Sequence, residues 1–325
     1  MLLSMGLPRC QTVLPGESGF YHCICRCVRR AWLCGVDPLT GFDLNHRRGW
    51  IEGKALELAE IFAVSVYAYA VMSNHMHLVV SIEPMRVESW TDEEIAERWS
   101  RVTTRLSVKD SASAQRERDR RREALLNNPV RLLEIRTRLG SLSWFMRVLN
   151  ESIARAANRE DGCKGRFWEG RFGCKALRDE TAVLGCMTYV DLNPVRAAMA
   201  NTLEESDWTS VKGRCQQAEA KPTCLTQCVE PMAGPPAPNF PSIQLKHYLE
   251  LVDHSGREMR SDKDGYIVRP PPAFLKQMNC TPEHWHRLVT NMEAWFGCAV
   301  GAAHTLAEFA QVTGRQWVKG VSTAW

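Results

Sequence analysis

The stretch Ser73-Asn74-His75-Met76-His77-Leu78-Val79-Val80 holds the residues best suited to chemistry. Successive side chains on a strand point to opposite faces, so His75 and His77 would share one face and both imidazoles could reach a single metal ion. The spacing alone is weak evidence, because H-x-H pairs are common by chance. His284 and His286 repeat the spacing, but on an expected helix, where positions two apart diverge by about 200°. They are set aside as a ligand pair.

A second segment, Thr188-Tyr189-Val190-Asp191-Leu192-Asn193-Pro194-Val195-Arg196, places Tyr189 and Asn193 four residues apart. If a helix holds that far, they lie on one face, and an amide oxygen could complete a divalent-metal site beside a phenol. Pro194 has no N–H to give the helical ladder and loosens it there. The alternative is a half-buried tyrosine and an asparagine that caps the helix before proline.

These residues need elements to hold them. Phe20 to Val28 alternates and is rich in β-formers, which predicts a strand; Ile51 to Ala63 carries apolar residues at helical spacing. Val64 to Met72 and His75 to Ile82 read as two further strands separated by Ser73-Asn74. Strand, helix, strand, strand is the order of an α+β sheet domain. Tyr67 and Tyr69 are expected to pack in that sheet. From Trp90 to Arg138 the chain is polar and charged, with RERDRRRE at 116–123, and reads as an inserted helical arm over about 84–139. An amphipathic helix follows from Ser143, with Trp144, Phe145, Val148, Leu149 and Ile153 on one side and Arg147, Arg155 and Arg159 largely on the other. A further helix is expected from Glu180 to Val190, introduced by Asp179. Five prolines over 230–241 predict a linker within 216–241. Beyond it, Ile243 to Val252, Pro282 to Phe296 (Thr281 as N-cap, Pro282 at the first position) and Thr305 to Val312 read as a helical C-terminal unit, 242–325.

Composition narrows the class. At 325 residues, 45% hydrophobic and 24% charged, the chain can bury a core, which excludes a disordered tail or a disulfide-stapled miniprotein. No apolar run is long enough to span a membrane, and MLLSMGLPRC lacks the basic and apolar regions of a secretory signal. A cytoplasmic protein is expected. The 13 cysteines are an odd number without a C-x-x-C pair, so small buried thiols are expected over disulfides or a thiolate metal site. The net charge is +4, but residues 101–180 hold 19 Lys/Arg against 11 Asp/Glu. That local excess suits a polyanion-facing surface, or simply a solvated helical face.

Taken together, H-x-H followed by Y-x-x-x-N and Pro-Val-Arg resembles the HUH single-tyrosine transposases, especially the REP-associated tyrosine transposases and their insertion-sequence relatives. The resemblance extends through Trp144 to Asn158 and through Gly165-Arg166-Phe167-Trp168-Glu169-Gly170-Arg171-Phe172, over roughly residues 15–215. Ser73-Asn74 stands where the family commonly has Pro-Asn.

The resemblance implies an antiparallel-sheet HUH core of ferredoxin/RRM-like type with packed helices. It implies Tyr189 as a nucleophile that forms a 5′-phosphotyrosine, with Mg²⁺ or Mn²⁺ held by His75, His77 and Asn193. The substrate would be single-stranded DNA, at hairpin or repeat ends. Arg147, Arg155, Arg166, Arg171 and Arg196 offer phosphate contacts, while Phe167, Trp168 and Phe172 could stack on unpaired bases. For that aromatic segment a core-packing turn competes equally. One tyrosine per site suggests a homodimer for complete strand exchange. No small-molecule cofactor and no membrane partner are expected. Two other functions compete: a nucleic-acid-binding protein that has lost or repurposed catalysis, and a metal-dependent nuclease that uses water.

Overall fold

A computed structural model describes residues 12–28, 33–37, 40–102, 112–259 and 270–320. The N-terminal segment read for a signal, and part of the charged arm, lie outside the described residues.

Five strands form one sheet: β1 (Gly19–Arg26), β2 (Val64–Val71), β3 (His75–Ile82), β4 (Gly173–Leu177) and β5 (Ala299–Val300), in the order β2-β3-β1-β4-β5. The pairs among β1 to β4 are antiparallel, and β5 joins β4 in parallel. Helix α1 (His46–Ala59) connects β1 to β2, and α5 (Leu142–Glu160) precedes β4. The first four strands with these helices therefore have the β-α-β-β-α-β order of a split βαβ sheet.

The two faces of the sheet do different work. Opposed residues of an antiparallel pair share a face. His77 lies opposite Ile24, His75 opposite Arg26 and His22 opposite Lys175, so these six share one face. Cys23 and Cys25 point to the other, where α1 and α5 pack; Asn150 of α5 donates its amide to Cys25 Sγ at 3.2 Å. Cys23, Cys25 and Cys27 are all buried thiols. Arg47 on α1 is buried and ties the helix to the end of α5 through Glu160 at 2.6 Å and Asp161.

Helix α6 (Glu180–Asp191) covers the histidine face. Residues Thr181 to Asp191 are all buried, because other elements close over the helix on its remaining sides. These elements are α8 (Ser210–Ala220), α9 (Leu245–Glu258) and α11 (Pro282–Trp295). Asp191 joins two of them, α8 and α9, to α6. Its Oδ1 accepts from the Ser210 hydroxyl and from Val211 N–H, and its Oδ2 from Tyr248 Oη at 2.5 Å. Asp179, the expected N-cap, accepts from Ala182 N–H at 2.8 Å; its second oxygen accepts from Ala302 N–H at 2.7 Å. That second bond fixes the start of α12 (Ala303–Val312).

The charged arm consists of α2 (Asp92–Arg101), α3 (Ala112–Leu126) and α4 (Pro129–Leu139). It is anchored by Leu132, Ile135 and Leu139, and by Arg136, which donates to the carbonyls of Val87 and Trp90. Two expectations for the C-terminal third meet a different arrangement. The proline-rich stretch expected as a linker lies on the outer edge of β2: Val66 N–H donates to Ala233 O at 3.0 Å and Met232 N–H to Val66 O at 2.7 Å. The residues expected as a separate helical unit supply β5 to the sheet and α11 to the face of α6. An unpaired edge strand and an all-round apolar helix both need covering, and these residues cover them. Among the described residues, no helix is long and apolar enough to cross a membrane.

Candidate active site

Four rings converge between the sheet and α6. His75 and His77 have ring centroids 4.8 Å apart, and the Tyr189 ring lies 5.7 Å from His77. The fourth ring is His22 on β1, 5.1 Å from His77 and 5.8 Å from Tyr189. The structure thus brings together the predicted histidine pair and the predicted tyrosine, from β3 and α6, and adds a histidine that the spacing gave no reason to suspect.

The hydrogen bonds assign the protons in part. His75 Nδ1 lies 2.6 Å from Asn74 Oδ1. A carbonyl oxygen only accepts, so the proton is on His75 Nδ1 and the lone pair on its Nε2. His77 Nδ1 meets His22 Nε2 at 2.9 Å. His77 Nε2 and His22 Nδ1 are buried and have no hydrogen-bond partner among the described residues. A buried orphan of this kind costs about 1–3 kcal/mol, and a bound cation would relieve it at His77 Nε2.

Burial also keeps these imidazoles uncharged, which is the form that ligates metal. Burial, with help from the Lys175 ammonium, lowers the His22 pKa to about 3. Burial first and Arg26 second lower that of His75 to about 4. His77, with His22 and His75 as neighbours, is held well below the usual histidine range, again chiefly by burial.

Asn193 sits just past the break in the helix. Helix α6 ends at Asp191, and a short turn, α7 (Asn193–Arg196), restarts the winding around Pro194. The Asn193 amide nitrogen donates to the Tyr189 carbonyl at 3.1 Å, which leaves the amide oxygen as its free end. The donor set fits Mg²⁺ or Mn²⁺ in kind: two neutral imidazoles and an amide oxygen. Among the described residues, no cluster of three or more His, Cys, Asp or Glu could hold a metal ion. Any cation here would depend on Asn193, on substrate oxygens or on water.

Tyr189 is only 3% exposed. Its hydroxyl donates to Glu293 Oε1 on α11 at 2.8 Å, and the Arg196 guanidinium lies 4.6 Å from the ring centroid. Burial, then Glu293, raises the phenol pKa, while Arg196 works in the opposite direction. Lys175 fixes the end of α11 by donating to the carbonyls of Met292, Glu293 and Phe296, the last at 2.7 Å.

The arginines and aromatics expected to touch DNA are divided by the fold. Arg196 stands beside Tyr189. Arg166 and Arg171 are exposed on the segment that pairs with the end of β1: Cys27 bridges Trp168, and Glu169 N–H donates to Arg26 O. That end carries Arg26, opposite His75. Arg147 and Arg155 are exposed on α5, on the cysteine side of the sheet, away from the rings; Arg147 stacks on Trp144 and Arg155 pairs with Glu151. Phe167, Trp168 and Phe172 are buried. Trp168 Nε1–H is also committed to the Asn150 carbonyl at 2.9 Å. The expectation that Trp168 and Phe172 stack on bases is therefore corrected: a ring that closes the core has no open face for a base.

Spacing missed His22, Arg26, Lys175 and Glu293. For the first three, the only available signal was alternation on two strands whose pairing was not known. For Glu293 there was none, because it stands 104 residues from Tyr189.

No protein-family model matches the chain, and no curated protein sequence matches it. Among solved structures, a REP-associated tyrosine transposase bound to a REP hairpin is similar at a TM-score of 0.36 and 13% identity. That match covers 63% of this chain and 82% of the other. It is a remote structural likeness and no more.

Proposed function

We propose that this protein cleaves and rejoins single-stranded DNA by transesterification, with Tyr189 as the nucleophile. The observation that carries the reading is the convergence of His75, His77 and Tyr189 on one face of the sheet, with a buried, unpartnered nitrogen on His77. A phosphodiester anion repels nucleophiles; His75, His77 and Asn193 would hold a divalent ion, which would supply the positive charge that offsets this.

The chain's own residues do the rest. Tyr189 Oη attacks phosphorus; the new P–Oη bond forms as the bond to the 3′ oxygen breaks, and a proton passes from the phenol to that oxygen. The products are a 5′-phosphotyrosine and a free 3′-OH. A second 3′-OH reverses the step and joins strands, because the covalent link conserves the bond. Arg196, beside the tyrosine ring, is placed to hold the anionic phosphate group. Asn193 fixes the last turn of α6 through the Tyr189 carbonyl. For the hydroxyl to reach phosphorus, Glu293 must give up its bond to it. One covalent end per site makes a pair of chains the natural unit for complete strand exchange.

The burial of Tyr189 favours a second reading, a DNA-binding protein with the catalytic constellation held shut. One experiment separates the readings. Labelled single-stranded oligonucleotides, with and without hairpins, are incubated with Mn²⁺ or Mg²⁺ and resolved in SDS. A covalent band on the 5′ side of the break, absent in Tyr189→Phe, in His75→Ala/His77→Ala and with EDTA, is expected. Cleavage that survives Tyr189→Phe makes water the nucleophile. Binding to the same hairpins without cleavage supports the binder.

A further inference from the structure

We infer that His22 is a positioning residue for the metal site: its Nε2 accepts the proton of His77 Nδ1, so that His77 Nε2 turns a lone pair toward the cation. This rests on the reading of His75 and His77 as metal ligands.

The argument is a count of protons. Two neutral imidazoles carry two N–H groups, and one of these lies in the 2.9 Å bond between His22 Nε2 and His77 Nδ1. If His77 donates, the other N–H is on His22 Nδ1, and His77 Nε2 is a lone pair. If His22 donates, the other N–H is on His77 Nε2, and a cation would meet a proton there. In the described structure both outer nitrogens are buried without a partner, so no protein group chooses between the two forms. A cation chooses the first. The Asn74 carboxamide already forces the same form on His75. With both protons on Nδ1, the two histidines present Nε2 in the same way.

The fold holds His22 in this role. His22 and His77 are diagonal neighbours on paired strands, two registers apart on one face, with ring planes inclined by only 17°. Lys175 stands opposite His22 on β4, on the same face of the sheet. Ligating histidines commonly give their second N–H to a carboxylate or a carbonyl. An imidazole in that place adds no negative charge, which leaves the cation's full charge available to a phosphate.

The test uses the full-length chain with ¹⁵N-labelled histidine. Long-range ¹H–¹⁵N spectra recorded with saturating Mg²⁺, which is diamagnetic, report each histidine's tautomer, and Mn²⁺ affinity is read from the free-ion signal in electron paramagnetic resonance. In the wild type, His77 is expected with its proton on Nδ1. His22→Phe is expected to shift His77 toward the Nε2–H form and to weaken Mn²⁺ binding by about 10- to 100-fold. His22→Gln, which keeps an acceptor within reach, is expected to restore most of both; it also serves if the Phe variant fails to fold. An Nε2–H proton on His77 in the wild type overturns the inference, as does an unchanged tautomer and Mn²⁺ affinity in a folded His22→Phe. If His77→Ala abolishes Mn²⁺ binding while His22→Phe does nothing, only the role of His22 falls. If neither His75→Ala nor His77→Ala alters Mn²⁺ binding, the metal reading falls with it.

Discussion

The Tyr189 hydroxyl donates to Glu293 Oε1 at 2.8 Å, and the two residues come from helices on opposite sides of the proline-rich segment. On the proposed reading, the C-terminal third supplies a carboxylate at the point where a scissile phosphate would have to sit. Two anions compete for one hydroxyl. Replacing Glu293 by Gln keeps a hydrogen-bond partner and removes the charge. Binding of a single-stranded hairpin oligonucleotide is expected to tighten by about 3- to 10-fold at low salt and by much less at high salt. Filter binding at two ionic strengths measures this; an unchanged affinity at low salt would place the DNA elsewhere.

The contact between α6 and α11 leaves no room at Gly185. A Cβ there would stand 2.5 Å from Leu288 Cδ2 and 2.9 Å from its Cγ, and Leu288 is buried. Gly185→Ala should cost about 1–3 kcal/mol by overpacking and push α11, with Glu293, away from Tyr189. Chemical denaturation gives the first quantity, and amide exchange along 282–295 gives the second.

Lys175 holds the end of the same helix through three carbonyls. Lys175→Met keeps the stem and removes the donors. A loss of about 1–3 kcal/mol is expected, with faster amide exchange at 292–298. Uniform destabilisation without that local signature would argue against the anchoring role.

Acid should loosen the site. His22 has a folded pKa of about 3 and His75 of about 4, both below the usual histidine value. Between those values and about pH 6.5 the unfolded chain binds protons that the folded chain refuses, so stability falls as pH falls through this window. Above it the histidines contribute no slope. Thermal melts from pH 7 to pH 4 are expected to show a steep decline that is shallower in His22→Phe; parallel curves would count against a neutral, buried His22.

The proline-rich stretch is held at Gly234. Its φ is +84°, and an added Cβ would lie 2.6 Å from Val64 O and 2.9 Å from Ser65 Cα. Gly234→Ala is strained in backbone and in space, so it should lower the melting temperature and open 230–241 to limited proteolysis. A freely moving linker would tolerate the change.

The sequence made the strand–helix–strand–strand order legible because each element carried its own periodicity and caps: alternation in β1 to β3, and Asp179 and Thr281 as N-caps. His75, His77 and Tyr189 were legible because two local spacings sufficed. His22 was not, since its face depends on the register of β1 against β3, which no local pattern states. Trp168 and Phe172 show the converse problem. Aromatics between arginines read equally as a base-stacking loop or as a core plug, and only their burial and the bond from Trp168 to Asn150 decide. Proline content marked 230–241 as irregular chain, which it is. Composition could not reveal that an irregular segment lies on a strand edge.

The parallel pairing of β5 with β4 has a consequence for how the protein is made. During synthesis the first four strands can assemble once β4 has emerged, but β5 and α11 arrive much later, after α8 and α9. Until then α6 lacks its outer cover, Asp179 lacks its partner at Ala302, and Tyr189 has no carboxylate on its hydroxyl. A nascent chain would thus pass through a stage with a formed sheet and an uncovered tyrosine, and the last contacts to form would be those that shut it in.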